Sequence, residues 1–519
     1  MKNIFFWSAF LFLTLLITIG CESFLEEEPR GILSTEEFYN NDNEALLASN
    51  GLYRILHRGS LYNTRGLDNY LVNGTDEVGP SRNVNTNVHN YLIDEGVSDG
   101  NSTWGALYEI VRNANDIISR VEDNPNISDD TRDQVLGEAF FMRALAYFHL
   151  TNLWGDVPYF RELLPLEELS ILERSPKEPI RDDMKTDLED AFNLLPSSYG
   201  DAELGRATRW AAKTLQAKFY LFDEQWQFAK DACDEVINGP HVLLPSFGDI
   251  FNQEDRNDQY NDELIFVVDF TTDPVISDMS TQRTDDYNPR LRDEPTNRND
   301  VPTSNNPDNL TRSELLFEAL QAEGQDMTGF GWAIPLPEIA DQANWEAGDL
   351  RYDATIVTEH LGFTLSFPYF RKNWNLNEDS PRQNHHENYI VFRLADVYLM
   401  AAEAENELNG PTNAAYTYVN TVRERAFETS NPWPGMSQED FRLAIRDERK
   451  FELATEGHRK MDLIRWGILL ETVQNVEHRP WNNPGANIQP KHVLLPIPQQ
   501  ELILNPNLLN TDPTNNGYR

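Results

Sequence analysis

The sequence predicts a mainly α-helical protein that carries one large region of little regular structure. Apolar residues recur at helical spacing over several long stretches, and small residues stand where paired helices would cross. A central part of the chain is instead rich in Asn, Asp, Pro and Arg. With 519 residues the chain is long enough to bury a large core, as a helical solenoid or as two domains.

The first residues are typical of a targeting segment rather than of folded structure. Residues 1–20 combine Lys2 with an apolar run that is short for a membrane span and ends in small residues. Thr18-Ile19-Gly20-Cys21 is similar to a bacterial lipobox, with Thr18 where Leu is usual. We therefore expect a lipoprotein signal peptide over residues 1–20 and lipidation at Cys21, which would anchor the chain without inserting it. Cleavage of an ordinary secretory signal is the alternative.

A helix is predicted in the first part of residues 137–160, which read GEAFFMRALAYFHLTNLWGDVPYF. Its apolar positions fall at helical spacing on a wide face, which indicates a helix covered on several sides. Gly155 is expected to end the helix, and Pro158 to prevent it from resuming.

Other helices are predicted on both sides of this one. Residues 44–56, 102–121 and 181–194 have helical periodicity. Two pairs of helices follow, 211–222 with 226–237 and 389–408 with 413–426, and a further helix over 445–467 is interrupted at Gly457. The first pair has about the length of a tetratricopeptide repeat, but no strict repeat period is present, so the pairs are divergent repeats.

Two stretches are predicted to be rich in loops. Residues 58–102 are rich in Gly, Asn and Asp, and residues 252–382 contain one predicted strand over 262–270 and then scattered aromatic residues. Loops on a rigid scaffold commonly carry binding residues.

Composition and sequence motifs argue against several classes of ligand and of enzyme. The net charge of −42 disfavours nucleic acid, anionic lipid and strongly anionic ligands. No hydrolase, metalloprotease, P-loop or dinucleotide motif is present, and with 85 acidic residues any carboxylate pair is uninformative. Glu448, Glu452 and Glu456 lie four apart on one helix face near Arg449 and Arg459, which predicts an ion-pair network that ties the terminal helices together.

No metal or cofactor is predicted. His385 and His386 are adjacent, so their side chains would point apart, and the Asn/Asp-rich residues 40–43 do not complete a calcium loop. Cys21 and Cys233 are too few for a disulfide framework, and Cys233 is expected to be a buried, inert thiol.

Several motifs, in order, resemble one family. Residues 138–158 carry an acidic-Ala-aromatic-aromatic-x-Arg-Ala core, then Tyr-Phe-x-Leu and Leu-Trp-Gly-Asp-Val-Pro, which resembles the signature segment of the SusD/RagB family of Bacteroidetes nutrient-binding lipoproteins. The acidic run behind Cys21, Asp76-Glu77, the Asn-Ala-Asn at 113–115, the pattern between Glu448 and Arg465, and the ending at 494–508 and 517–518 are also similar to that family.

The resemblance covers essentially all of the mature chain and implies its fold. It implies a right-handed superhelical scaffold of tetratricopeptide-like helix pairs within a single domain, residues 21–519. The scaffold would comprise residues 24–57, 103–251 and 388–519, and the loop-rich segments 58–102 and 252–387 would form the ligand face.

The resemblance also implies a function. The protein would bind an oligosaccharide at the cell surface, facing the exterior, without cleaving it, and deliver it to a SusC-like TonB-dependent transporter in the outer membrane. The acidic charge favours a neutral glycan such as a glucan over a polyuronate. The competing possibility is a peptide or other non-glycan nutrient captured by the same kind of uptake system.

Glycan binding requires flat aromatic rings for the apolar faces of sugars, and polar side chains for their hydroxyls. Candidates in the expected ligand-face loops are Arg65, Arg82, Asn83, Tyr287, Trp332 and Trp374. Four other tryptophans lie on predicted helices and are expected in the core, namely Trp154, Trp210, Trp226 and Trp466. The chain departs from many glycan-binding members because no Trp follows Asp76-Glu77 in the next loop. Tyr91 or a distant Trp would substitute, or the platform is built differently.

Overall fold

The computed structural model describes residues 38–519 apart from 65, 83–86, 97, 252–258, 274–278, 292–311, 328, 378–382 and 480–481. Cys21, Arg65 and Asn83, three of the predicted functional residues, therefore lie outside the described residues.

The described chain is mainly helical, as predicted. The longer helices are α1 (Asp42–Leu56), α3 (Ser98–Val121), α4 (Asp129–Trp154), α6 (Lys177–Leu194), α7 (Arg209–Phe222), α8 (Trp226–Ile237), α10 (Arg312–Ala322), α13 (Leu394–Asn409), α14 (Asn413–Glu424) and α15 (Gln438–Leu453). The short helices are α2 (Leu67–Val72), α5 (Leu166–Leu169), α9 (Arg283–Tyr287), α11 (Pro337–Ala340), α12 (Arg351–Thr355), α16 (Arg459–Arg465), α17 (Leu469–Asn475), α18 (Pro484–Asn487) and α19 (Gln499–Leu504). None of the described helices is long and apolar enough to cross a membrane.

The long helices form a layered scaffold of helix pairs. Helix α3 packs on α4, α4 on α6, α6 on α7 and α7 on α8, so each layer contacts the next along the chain. Helix α8 then packs on α13, which also contacts α14 and α15. The contact between α8 and α13 joins the two predicted helix pairs, although more than 150 residues separate them in the sequence.

Helix α4 lies in the centre of this scaffold. Nearly all of its residues from Val135 to Trp154 are buried, as its wide apolar face predicted. A Cβ at Gly137 would lie 2.7 Å from Leu195 Cγ, so this glycine permits close packing. Gly155 ends the helix with a φ of +74°, which confirms its predicted role.

The charged residues of the signature segment are structural. Arg143 donates to Asp187 Oδ2 (2.8 Å) and Oδ1 (3.0 Å) and to Asn115 Oδ1 (2.7 Å), and thereby joins α4 to α6 and α3. Glu138 accepts two hydrogen bonds from Arg206, at 2.9 and 3.0 Å. Arg143 therefore joins three helices, and Glu138 ties α4 to the segment between α6 and α7.

The predicted core residues are largely confirmed. Trp154 and Cys233 are fully buried, and Trp210, Trp226 and Trp466 are partly buried and pack against the apolar clusters. Burial raises the pKa of the Cys233 thiol, which keeps it in its unreactive form.

The prediction of one continuous helix over residues 389–408 is wrong at its start. Residues Tyr389–Arg393 form a strand, β6, which pairs antiparallel with β2 (Leu264–Val268). The run Tyr-Ile-Val-Phe is rich in β-branched and aromatic residues, and the neighbouring β2 supplies the backbone partners that favour a strand over a first helical turn. Sequence periodicity alone does not reveal that β2 pairs with this segment.

The loop-rich segments also hold more regular structure than predicted. Strand β1 (Val78–Pro80) pairs with β3 (Ala333–Pro335), and β4 (Ile356–His360) forms a hairpin with β5 (Phe363–Phe370). The hairpin turns at Leu361 and Gly362, whose φ angles are +47° and +78°. Such a turn usually carries Asn-Gly or Asp-Gly, so Leu361 concealed it from the sequence analysis.

Glu448 and Glu452 of α15, together with Glu456 three residues beyond its end, form the predicted ion-pair network, but with other partners. Glu448, Glu452 and Glu456 are buried. They accept hydrogen bonds from four side chains of other segments and one of α14, namely Arg351, Arg423, Arg393, Arg425 and Lys372, at 2.6 to 3.0 Å. Of the two expected partners, Arg449 pairs with Asp396 and Asp462, and Arg459 pairs with Asp76. The network therefore ties α15 to the loop-rich segments as well as to its neighbours.

Replacing Glu452 with Gln is expected to destabilise the protein by about 3 to 5 kcal/mol, because Arg351, Arg393 and Arg425 would each lose one of the carboxylates that balance their buried charge. The measurement is the free energy of unfolding from urea titration followed by circular dichroism. Glu439→Gln on the same helix removes an exposed partner of Arg442, and should cost about 1 kcal/mol or less. Equal losses in the two variants would contradict the assignment.

Candidate ligand-binding site

Two residues far apart in the sequence are brought together by the pairing of β1 with β3. The register places Pro80 opposite Ala333, and the Ser81 N–H donates to the Trp332 carbonyl oxygen at 3.0 Å. Arg82 lies two residues after the end of β1, and Trp332 directly precedes β3. Both predicted residues therefore lie at the same end of a two-stranded sheet.

At this end, three side chains form what we call the aromatic–arginine stack: Phe330, Trp332 and Arg82. The rings of Phe330 and Trp332 lie 4.9 Å apart between centroids, with an interplanar angle of 21°. The Arg82 guanidinium carbon lies 5.6 Å from the Trp332 ring. All three side chains are partly exposed. The stack combines a flat apolar surface with hydrogen-bond donors.

The backbone around the stack is fixed by tight packing. The amides of Phe330 and Gly331 both donate to the Asp285 carbonyl oxygen. A Cβ at Gly329 would lie 2.2 Å from the Asn288 carbonyl oxygen, and Gly331 has a φ of +56°, so glycine is favoured at both positions. A rigid platform loses little conformational entropy when a ligand binds.

The Asp76-Glu77 motif lies directly before β1 and anchors it to the core. Asp76 accepts two hydrogen bonds from Arg459, at 2.8 and 2.6 Å. Glu77 accepts the Thr455 N–H at 3.2 Å through its side chain, and the Leu336 N–H at 2.8 Å through its backbone carbonyl. Because both carboxyl groups are buried, they position β1, which ends two residues before Arg82, and are not surface contacts.

The two carboxyl groups titrate in opposite directions. Burial raises the pKa of Glu77 to about 8, so it is mainly protonated at neutral pH. Burial also disfavours the charged form of Asp76, but the Arg459 guanidinium outweighs it and lowers the pKa of Asp76. Asp76 thus keeps its negative charge beside Arg459, whereas Glu77 is mainly neutral.

The structure assigns packing contacts to the other described candidates. Tyr287 is buried, with the Arg283 guanidinium carbon 4.7 Å from its ring centroid, so it is not presented at the surface. Trp374 is half-buried, and its Nε1 donates to the Tyr287 carbonyl oxygen at 3.2 Å. Its ring contacts His360 and Tyr369 on the β4–β5 hairpin. Only Arg82 and Trp332 therefore meet in the aromatic–arginine stack.

The suggested substitute Tyr91 is also in the interior. Its ring stacks on His492 with centroids 5.2 Å apart, and its hydroxyl donates to the Gly74 carbonyl oxygen. The sequence analysis missed Phe330, although Phe330 and Trp332 are two residues apart, the spacing that places side chains on one side of an extended segment.

The described residues include no group of three or more His, Cys, Asp or Glu side chains placed to hold a metal ion. His385, considered above, instead has its Nε2 3.1 Å from Asp285 Oδ1. His385 and Asp285 are both buried.

The fold and this site define a tetratricopeptide-like helical scaffold with an aromatic–arginine stack at its surface. A SusD-like protein of Formosa agariphila is 43% identical, over 96% of this chain and 97% of the relative. The chain therefore belongs to the SusD family. The SusD family model matches residues 342–518, and a second model, described as starch-binding and associating with the outer membrane, matches residues 23–221.

Solved structures share the fold at lower identity. A laminarin-binding SusD-like protein is 24% identical with a TM-score of 0.72, over 90% of this chain and 98% of that one. Surface glycan-binding protein A from Bacteroides uniformis is 21% identical with a TM-score of 0.70, over 92% of this chain and 100% of that one.

The buried Glu77 predicts a pH-dependent stability that Glu77→Gln should remove. Folded Glu77 keeps its proton up to about pH 8, whereas unfolded Glu loses it near pH 4.5. The folded state therefore binds more protons in this window, and the contribution of Glu77 to the free energy of unfolding falls as pH rises through it. The variant should gain stability relative to the wild type from about pH 5 to about pH 8, by at most about 1.4 kcal/mol per pH unit.

Urea titrations at several pH values measure this difference. Glu439→Gln is the matched control, because its carboxylate is exposed and its curve should run parallel to that of the wild type. A Glu77→Gln curve parallel to the wild type over the whole range would show that Glu77 is ionised in the folded state.

Proposed function

We propose that the protein binds an oligo- or polysaccharide at the cell surface and delivers it to a SusC-like TonB-dependent transporter. The aromatic–arginine stack carries this proposal, because it offers a rigid ring surface and a guanidinium at one exposed place. Membership in the SusD family supports it. The names of two structural neighbours, which refer to laminarin and to surface glycans, support it further.

The chemistry of the stack suits a sugar. The C–H face of a pyranose ring is apolar and packs on a flat aromatic ring, while its hydroxyl groups accept hydrogen bonds from a guanidinium. Phe330 and Trp332 provide the ring surface, and Arg82 provides donors at its edge. The backbone N–H groups of Phe330 and Gly331, which donate to the Asp285 carbonyl oxygen, hold this geometry before the ligand arrives.

A neutral glycan such as a glucan is the favoured ligand. The net charge of −42 repels a polyuronate at separations within the Debye length of the solution. A neutral chain is not repelled, and it still gains the stacking and the hydrogen bonds of Arg82.

Binding without cleavage fits the state of the acidic residues on α15. Glu448 is buried between Arg351 and Arg423, and Glu452 is in contact with three arginines. Carboxylates held in this way cannot reach a substrate as glycosidase acid and base. A reducing-sugar assay on polysaccharides, with Glu448→Gln as the control, tests this directly.

The proposed location is the outer membrane, with the chain anchored through lipid at Cys21 and facing the exterior. The match to the family model described as associating with the outer membrane supports it. Labelling with radioactive palmitate in the wild type but not in Cys21→Ala would test the anchor.

Affinity electrophoresis tests the ligand and the stack together. Gels that contain laminarin, starch, xylan, mannan or alginate should retard the protein in one neutral polysaccharide. Trp332→Ala and Phe330→Ala should each weaken the retardation at least about tenfold, equivalent to about 1.4 kcal/mol. Phe228→Ala is the matched control, because Phe228 is an exposed aromatic residue of α8 that stacks on Tyr220 instead.

Three outcomes would revise the proposal. Retardation by alginate alone would overturn the preference for a neutral glycan. Retardation that survives both stack variants would place the glycan elsewhere on the protein. No retardation by any polysaccharide would favour a peptide or another small nutrient as the ligand.

A further inference from the structure

A second contact between an arginine and an aromatic ring lies on the β4–β5 hairpin. The Arg479 guanidinium carbon lies 5.7 Å from the centroid of the Phe367 ring, and both side chains are partly exposed. Phe367 belongs to β5, whereas Arg479 follows α17 in a distant part of the sequence. We call these two residues the hairpin pair. It offers the same combination of a flat ring and hydrogen-bond donors as the aromatic–arginine stack.

Contacts of β5 place the hairpin pair close to the stack. Strand β5 lies against β3. The ring of Tyr369, two residues after Phe367 on β5, has its centroid 6.4 Å from that of the Phe367 ring. A Cβ at Gly331 would lie 3.5 Å from Tyr369 Cε1, and Gly331 directly precedes Trp332. Tyr369 therefore lies between the hairpin pair and the backbone that carries the stack.

The segment that carries the arginine of the pair is held beside the same two-stranded sheet. The Glu477 N–H donates to Glu338 Oε1 at 3.0 Å, and Glu338 belongs to α11, which begins two residues after the end of β3. The centroid of the His478 ring lies 6.2 Å from that of the His89 ring. A Cβ at Gly79 of β1 would lie 3.8 Å from His89 Cε1. The segment therefore lies close to both β1 and β3.

The guanidinium of Arg479 has donors available for a ligand. Among the described residues, Arg479 forms no ion pair, and no atom accepts a hydrogen bond from its Nε. Burial lowers the pKa of Arg479, and the charge of Glu477 offsets this only in part. Buried Arg351 and Arg393 are instead paired with carboxylates. A partly desolvated guanidinium without a partner is stabilised by an acceptor that reaches it.

The surroundings of the pair favour a neutral ligand. Glu477 is exposed and its backbone bonds to the Glu338 carboxylate, so two carboxylates lie close to the segment that carries Arg479. They would repel a sulfate, phosphate or uronate group that approached the arginine. A hydroxyl group carries no charge and accepts hydrogen bonds from a guanidinium. A pyranose ring meets both requirements, because its C–H face also packs on the Phe367 ring.

We propose that the hairpin pair is a second sugar subsite, and that one neutral glycan chain spans it and the aromatic–arginine stack. The inference rests on the proposed function, because it starts from a glycan bound at the stack. It adds that the protein binds a longer oligosaccharide more tightly than a disaccharide. A chain that reaches both places makes two sets of contacts, while the translational entropy of association is lost only once.

Calorimetric titration with sugars of two lengths tests this subsite. The probes are laminaribiose and laminarihexaose, with the corresponding disaccharides and hexasaccharides of starch, xylan and mannan. Phe367→Leu removes the flat ring but keeps an apolar side chain in the hairpin. Arg479→Met removes the donors but keeps an unbranched side chain of similar length. Both variants therefore retain most of the packing around the pair.

Two matched variants control for indirect effects. Phe363→Leu makes the same change at the turn end of β5, where Phe363 packs against the same apolar cluster as Phe367. Arg446→Met makes the same change on α15. The Arg446 guanidinium carbon lies 5.2 Å from the Trp466 ring, and its Nε likewise has no hydrogen-bond partner in the described part of the chain. Neither control should change the affinity for any of the sugars.

The wild type should bind one hexasaccharide per molecule, at least about tenfold more tightly than the corresponding disaccharide. Phe367→Leu and Arg479→Met should each weaken hexasaccharide binding at least about fivefold, through loss of ring contact or of donors. Both variants should bind the disaccharide as the wild type does, because the stack alone holds it. Trp332→Ala should weaken the binding of both lengths.

Three results would overturn the second subsite and leave the glycan at the stack. They are wild-type affinity for the hexasaccharide in both pair variants, equal losses in the pair variants and their controls, and two hexasaccharides bound per molecule. Failure of the proposed function gives a different result, since the wild type would then bind none of the sugars and both proposals would fall. Losses in the pair variants without a loss in Trp332→Ala would retain the hairpin pair and remove the stack.

Discussion

Buried pairs of arginine and carboxylate hold the scaffold and the loop-rich segments of this protein in one arrangement. Arg393 illustrates the constraint, because it is fully buried at the end of β6 and donates to Glu452, Glu456 and Glu263. Each of these groups would be costly to bury alone, so none can move without leaving an unpaired charge in the interior. The position of β6 relative to α15, and with it the path of the loop-rich segment, is therefore fixed by charge as well as by apolar packing.

The same constraint reaches the candidate binding site through a single pair. Arg459, at the start of α16, holds Asp76, and Asp76 and Glu77 directly precede β1. Strand β1 pairs with β3. Arg82 lies two residues beyond β1, and Trp332 directly precedes β3. The buried pair of Asp76 and Arg459 thus helps to position the surface stack. The motif residues Asp76 and Arg459 therefore act on the candidate site through the position of β1.

The helices could be predicted because their apolar periodicity is local, and the end of α4 at Gly155 was visible for the same reason. Apolar periodicity does not reveal which distant segment pairs with a strand. The sequence analysis therefore missed β6, whose partner is β2. The site was predicted in part. Arg82 and Trp332 were named from residue type and motif resemblance, but residue type could not separate them from Tyr287, whose burial depends on contacts between distant segments. Phe330 was missed although its spacing from Trp332 was visible.

The structure indicates where the excess negative charge of the chain lies. Many cations of the described chain are held inward by carboxylates, as for Arg143, Arg351 and Arg393. The surface is left with the excess negative charge. An anionic polysaccharide would meet that repulsion as it approached the surface, whereas the neutral, hydroxyl-rich ligand proposed above carries no charge for the field to repel.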